Sequence, residues 1–186
     1  VAEIAASLGF SAAGNNDKVG LILFADKVYK VIPPQKGRKH VLSIISSILT
    51  ANYVQAQSKI DYALHYMMGI FKRKSLVFLL SDFNDDYDAK ILAVASKKHQ
   101  VLGIRIYDEK DDEIPDVGYT LFYDAETGNE IYANTSNARW RYTLEKKKKQ
   151  KLKKLEEDFA DSSAGFMNIG SGTEYSKMLY QYFQKK

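Results

Sequence analysis

The sequence predicts a single α/β domain in which a mostly parallel sheet carries helices on both faces. Three observations predict it. Short apolar runs, Val19 to Phe24 (VGLILF), Leu76 to Leu80 (LVFLL) and Val101 to Ile106 (VLGIRI), have the length and composition of strands covered on both sides. Around them apolar residues recur at helical spacing, so strands and helices alternate along the chain. The 186 residues, 45% hydrophobic and 27% charged, suffice for one core and hardly for a second, so one domain over residues 1–186 is expected.

The elements follow in order. Val1 to Ala13 carries small and apolar residues at Val1, Ile4, Ala5, Leu8 and Ala12, the spacing of a helix, which Gly14-Asn15-Asn16-Asp17 ends. Val19 to Phe24 and Val28 to Ile32 flank Ala25-Asp26-Lys27 and read as a hairpin that adds one antiparallel edge strand to the sheet, with Pro33-Pro34 stopping it. Gly37 to Leu49 and Ser58 to Phe71 read as helices. Leu76 to Leu80, the most apolar strand, is expected at the centre of the sheet and runs into Ser81-Asp82. A helix at Ala89 to Lys98 and a strand at Val101 to Ile106 come next. Tyr119 to Tyr123 and Glu130 to Ala133 enclose Asp124-Ala125-Glu126-Thr127-Gly128-Asn129, the pattern of an inserted β-hairpin. A long charged helix, Asn137 to Asp161, then leads to a strand at Phe166 to Ile169 and a terminal helix at Thr173 to Phe183.

Composition removes several function classes. The chain has no cysteine, and so neither a disulfide framework nor a thiolate nucleophile nor cysteine-ligated zinc. No apolar run approaches the roughly 20 residues that cross a bilayer, which gives a cytoplasmic expectation and leaves an upstream anchor open. The chain opens at Val1 with a helix under way and reads as a piece of a longer protein. Its net charge of +4 resides in Glu145 to Glu157, which holds seven lysines and three glutamates. Basic character is therefore a property of one helix. Leu144, Leu152, Leu155 and Phe159 form an apolar stripe on that helix, so a solvated outer face is the expected role of the lysines and nucleic acid is not the expected partner.

Five strings carry a resemblance to a known family. They are Ala5 to Ser11 (AASLGFS) with Asp17 to Phe24 (DKVGLILF), Pro33 to Leu42 (PPQKGRKHVL), Ser75 to Phe83 (SLVFLLSDF), Lys98 to Ile106 (KHQVLGIRI) and Ile114 to Asn134 (IPDVGYTLFYDAETGNEIYAN). Together they resemble the von Willebrand factor A-like domain of the bacterial DUF58 family, whose genes usually lie beside those of MoxR-type AAA+ ATPases. The resemblance implies a Rossmann-like three-layer sandwich and a functional surface similar to a metal-ion-dependent adhesion site. Such a site combines an Asp-x-Ser-x-Ser loop, a threonine on a second loop and an aspartate after a later strand, because a hard divalent cation takes oxygen ligands and Mg2+ keeps positions for a partner's carboxylate. By this likeness the first strand and its loop lie upstream of Val1. Asp82 takes the place of the strand-end aspartate and Ser58 that of the threonine, giving an incomplete metal site. Lys59 departs from the pattern, since relatives often carry an acid there. Ser81, Asp82, Asp85 and Asp86 become the expected partner-binding residues, Mg2+ or another divalent cation a cofactor of the full-length protein, and a MoxR-type ATPase or its client the expected partner in the assembly or maturation of a complex.

Structural readings stand beside these. Asp82 also suits a helix N-cap, and Asp85, Asp86 and Asp88 suit a solvated loop with one capping residue. His40, His65 and His99 lie in different elements without i, i+4 spacing, so surface or half-buried structural roles are expected. Gly170-Ser171-Gly172-Thr173 lacks the lysine of a phosphate-binding loop and reads as a plain turn. The resulting expectation is a non-catalytic protein-interaction module. The alternatives are a metal-assisted phosphoester or hydrolytic enzyme built on Asp82, for which no nucleophile or base is visible, and nucleic-acid binding through Lys146 to Lys154.

Overall fold

The structure, a computed structural model, describes residues 1–51, 58–108, 116–123 and 130–184. Within them the chain forms α1 (Ala2–Gly14), β1 (Val19–Phe24), β2 (Val28–Gln35), α2 (Arg38–Leu49), α3 (Ile60–Ile70), β3 (Leu76–Ser81), α4 (Ala89–Lys98) and β4 (Gln100–Tyr107). These are followed by β5 (Tyr119–Tyr123), β6 (Glu130–Asn134), α5 (Ala138–Asp161), β7 (Gly165–Gly170) and α6 (Tyr175–Gln184).

β3, β4 and β7 form a parallel sheet in the order β3-β4-β7, with Leu79 opposite Gly103 and Ile104 opposite Met167. Alternation along the strands sends side chains to two cores. On one face Leu79 and Val101 meet Ile60, Leu64 and Met67 of α3, Leu92 and Ala95 of α4, and Leu155 and Phe159 of α5. On the other, Leu102, Ile104, Met167 and Ile169 meet Ile4 of α1 and Leu179 of α6. The expected α/β arrangement of helices on both faces of a parallel sheet is therefore present.

Three expectations are corrected. The strand at Leu76 to Leu80 is an edge of its sheet among the described residues, and β4 is the central strand. Its apolar run reports helices packed on both faces, with Val77 against one core and Phe78 and Leu80 against the other, and carries no information on lateral neighbours. Nor does the hairpin add an edge strand to the parallel sheet: β1 and β2 form a separate antiparallel pair, and Ile22 and Phe24 join the first core by side-chain packing alone. Pro33-Pro34 also fails to stop β2, which continues to Gln35 beyond a bulge between the Val19↔Gln35 and Leu21↔Ile32 pairs. An edge strand tolerates prolines because the N–H they lack would point to solvent.

β5 and β6 form the expected inserted hairpin, whose tip at 124–129 lies outside the described residues. Its base is a compact knot. Buried Thr135 accepts the Val117 amide at 2.9 Å and donates its hydroxyl to the Gly118 carbonyl at 2.9 Å. Gly118 sits at φ +79, a conformation that favours glycine. Asp116 accepts the Ser136 hydroxyl and pairs with Arg141 at 3.0 Å, and these partners hold its carboxyl below the usual range. The proline-aspartate-valine-glycine string thus supplies, from Asp116 onward, the hairpin's attachment. Among the described residues no helix is long and apolar enough to cross a membrane.

Two predictions follow from the packing. A Cβ at Gly103 would fall inside contact distance of the Phe159 ring. Gly103→Ala is therefore expected to cost about 1–3 kcal/mol by overpacking, read as a lower urea midpoint, and an unchanged midpoint would show that the ring shifts freely. The second concerns His99, which the sequence placed at the surface or half-buried; it is 1% exposed, and neither ring nitrogen has a hydrogen-bond partner. Burial, with a smaller contribution from Lys98, lowers its pKa. The unfolded chain takes up this proton near pH 6.5 while the folded chain resists it. Stability should accordingly be full above about pH 6.5 and fall below it. Urea midpoints in that acid range should drop less for His99→Phe than for the wild type, and equal drops would remove His99 as the cause.

Candidate functional site

The carboxyl end of β3 opens into a loop whose polar groups largely satisfy one another. Asp82 does not cap a helix. Its Oδ1 accepts the Asn84 amide at 3.2 Å and its Oδ2 accepts Asn84 Nδ2 at 2.7 Å, the side-chain-closed turn that Asp and Asn favour. The capping role falls to Asp88, which accepts the Lys90 amide at 2.9 Å at the start of α4. Ser81 Oγ accepts the Phe83 amide at 3.1 Å, and Phe83 itself stands at φ 55, in the left-handed region. That conformation costs about 1–2 kcal/mol and is held by the burial of the ring, 3% exposed, edge-on to Phe159 and Phe166 at 5.5 and 6.0 Å.

This loop is fastened to the segment preceding α3. The Ser58 amide donates to Asp85 Oδ2, and the Asp88 amide donates to both oxygens of Asp61 at 3.0 and 3.3 Å. The Lys59 amide in turn donates to the Ala25 carbonyl at 2.8 Å, bringing in the β1–β2 turn. Ser58 and the loop carrying Asp82 are thus neighbours, while Asp86 is exposed. The carboxylates of Asp85 and Asp61 serve as acceptors for backbone amides. Among the described residues no group of three or more His, Asp or Glu side chains could hold a metal ion.

Sequence reasoning missed the basic side of the site. A cleft of about 360 Å3 lies between the β3 and β4 ends and α5, lined among others by Asp82, Phe83, Arg105, Asp108, Lys148 and Lys151. Arg105 donates through Nε to the Asp82 carbonyl at 3.2 Å and through Nη1 to Asn168 Oδ1 at 3.0 Å, and its guanidinium lies 4.7 Å from the Tyr107 ring centre. Lys151 reaches down from α5 to the Asn84 carbonyl. Tyr87 donates to Asp158 of the same helix at 3.3 Å; burial first, and then that carboxylate, hold the phenol above its usual range. The signal available in the sequence was one arginine in an apolar strand.

The remaining candidates separate. His40 Nε2 bonds the Val19 carbonyl at 2.8 Å, His65 is exposed and His99 is buried. The Gly170 to Thr173 turn folds onto β4, with the Ser171 amide on the Tyr107 carbonyl and the Ser171 hydroxyl on Asp108, both at 3.0 Å. In α5 Leu155 and Phe159 are buried, Leu144 and Leu152 are half-buried, and Lys146, Lys147, Lys149, Lys153 and Lys154 face solvent, as the apolar stripe requires.

A sequence model of the DUF58 family, described as a protein of unknown function, matches residues 1–154. Uncharacterized proteins of Mycobacterium bovis and Mycobacterium tuberculosis are each 27% identical to the chain over 127 residues, 67% of this chain and 40% of theirs. An uncharacterized protein of Mycobacterium avium is 27% identical over 100 residues, 52% of this chain and 59% of its own. The chain thus spans less than two thirds of the length of these relatives. No solved structure matches.

Because both Asp82 oxygens accept from Asn84, calorimetric titration with Mg2+ or Mn2+ should show no tight binding. A dissociation constant in the low micromolar range, about -8 kcal/mol, that vanished in Asp82→Ala would show that the loop rearranges into a ligand set.

Proposed function

The chain belongs to the DUF58 family of proteins of unknown function, and from that premise we propose that it is a non-catalytic protein-interaction module of von Willebrand A type, presenting the carboxyl edge of its parallel sheet to a partner. The observation that carries this reading is the joining of two loops at that edge, through Ser58 to Asp85 and Asp61 to Asp88, beside an open cleft. Open α/β sheets bind their ligands at this edge, and a loop held by amide-to-carboxylate bonds offers a partner a preformed surface at low ordering cost. The resemblance supplies the partner class, a MoxR-type AAA+ ATPase or its client, and an assembly or maturation role. A divalent cation enters this proposal only with ligands beyond Asp82 and Ser58. The enzymatic reading finds less support: the chain has no cysteine, His40 bonds a backbone carbonyl and His99 is buried.

The test is direct binding of the full-length protein to a MoxR-type ATPase of the same genome. Substituting Asp82→Ala or Asp85→Ala should weaken binding by about tenfold or more, equivalent to about 1.4 kcal/mol, while Glu3→Ala in α1 should not. Absence of binding, equal loss in all three variants, or Mg2+-dependent turnover of phosphoesters would overturn the proposal.

A further inference from the structure

We propose that the cleft beneath α5 receives a carboxylate from an acidic polypeptide segment directly on Arg105 and Lys151, with no bridging cation. This rests on the reading of the sheet's carboxyl edge as an interaction surface and names the chemistry of what binds there.

The charges lining the cleft are not equivalent. Among the described residues its two acids are already engaged, Asp82 by Asn84 and Asp108 by the Ser171 hydroxyl. Arg105 and Lys151 keep donors in reserve. Arg105 uses two of the five N–H groups that an arginine carries, and contacts to the Asp82 carbonyl, Asn168 and the Tyr107 ring fix the plane of its guanidinium. A guanidinium held this way is preorganised for a carboxylate, because little side-chain entropy remains to be lost. Lys151 gives one hydrogen bond, to the Asn84 carbonyl, from an ammonium with three donors. Arg105 stands on β4 and Lys151 on α5, so the two positive groups line opposite walls.

The cleft's other lining selects the kind of anion. Phe83, Ile106, Leu152 and Leu155 give it an apolar floor, which suits an acidic residue next to an apolar one. A single-stranded nucleic acid would require exposed rings for its bases, whereas Phe83 is buried and the Tyr107 ring is covered by Arg105. The volume of about 360 Å3 also exceeds what a lone phosphate fills.

The experiment uses the whole chain in EDTA and a fluorescent synthetic peptide of alternating glutamate and leucine, followed by anisotropy. Binding is expected, with none for the glutamine and leucine counterpart. Lys151→Glu should weaken it about tenfold or more, whereas Lys146→Glu, on the outer face of α5, should change it less than about twofold. Arg105→Gln should also weaken it, but that change removes two structural hydrogen bonds, so Lys151→Glu, checked for a native circular dichroism spectrum, decides. Unchanged binding in Lys151→Glu, equal loss in Lys146→Glu, a requirement for Mg2+, or displacement of the peptide by inorganic phosphate at matched charge would each overturn the proposal. If the peptide fails while the ATPase test with Asp82→Ala succeeds, only the ligand chemistry is withdrawn. Failure of both removes the interaction surface itself.

Discussion

Phe159 lies against β4 at the one place where that strand has no side chain, Gly103, and much of the molecule depends on this contact. The ring is fully buried and touches Phe83 and Phe166 at 5.5 and 5.1 Å between centroids. Through Phe83 it holds the left-handed residue that turns the chain away from β3. Through its own helix it sets where Lys148 and Lys151 stand above the sheet. A glycine in a central strand is costly in isolation; here it allows a helix of 24 residues to approach closely enough to form one wall of the cleft.

The acidic loop after β3 illustrates how position changes the meaning of a residue type. Four aspartates in seven residues suggest a reservoir of negative charge. In the structure Asp82 closes its own turn, Asp85 receives the Ser58 amide and Asp88 caps α4. Carboxylates that accept backbone amides organise the loop and contribute less to the field above it than their number implies. Arg105 and Lys151 keep donors that the described residues do not use.

The alternation of elements was legible because hydrophobic period reports burial, and burial is what the helices on both faces of β3, β4 and β7 provide. Lateral order was not legible: Leu76 to Leu80 and Val101 to Ile106 look alike in sequence, yet one is an edge and the other central, since hydrogen bonding between strands leaves no trace in side-chain hydrophobicity. Membership of the family was readable from local strings, the stretch ending in Asn134 above all, and the structure explains part of its specificity by the knot of Asp116, Gly118, Thr135 and Ser136. Asp82 and Ser58 are readable from the resemblance, and Asp85 from the crowding of acids in one loop. Arg105 is not, because its importance arises from Asn168, 63 residues away in the chain, and from an α5 lysine that the sequence does not place beside it.

That same separation has a consequence for synthesis. β4 is flanked by β3, which precedes it closely, and by β7, whose Asn168 stands opposite Arg105. At a translation rate of about 5–20 residues per second, β4 waits about 3–12 s for its second neighbour. During that interval Leu102 and Ile104, fully buried in the finished domain, lack the Met167 and Ile169 side chains that complete their core. A nascent chain of this design should therefore engage ribosome-associated chaperones over the whole span in which the hairpin and the lysine helix are being made.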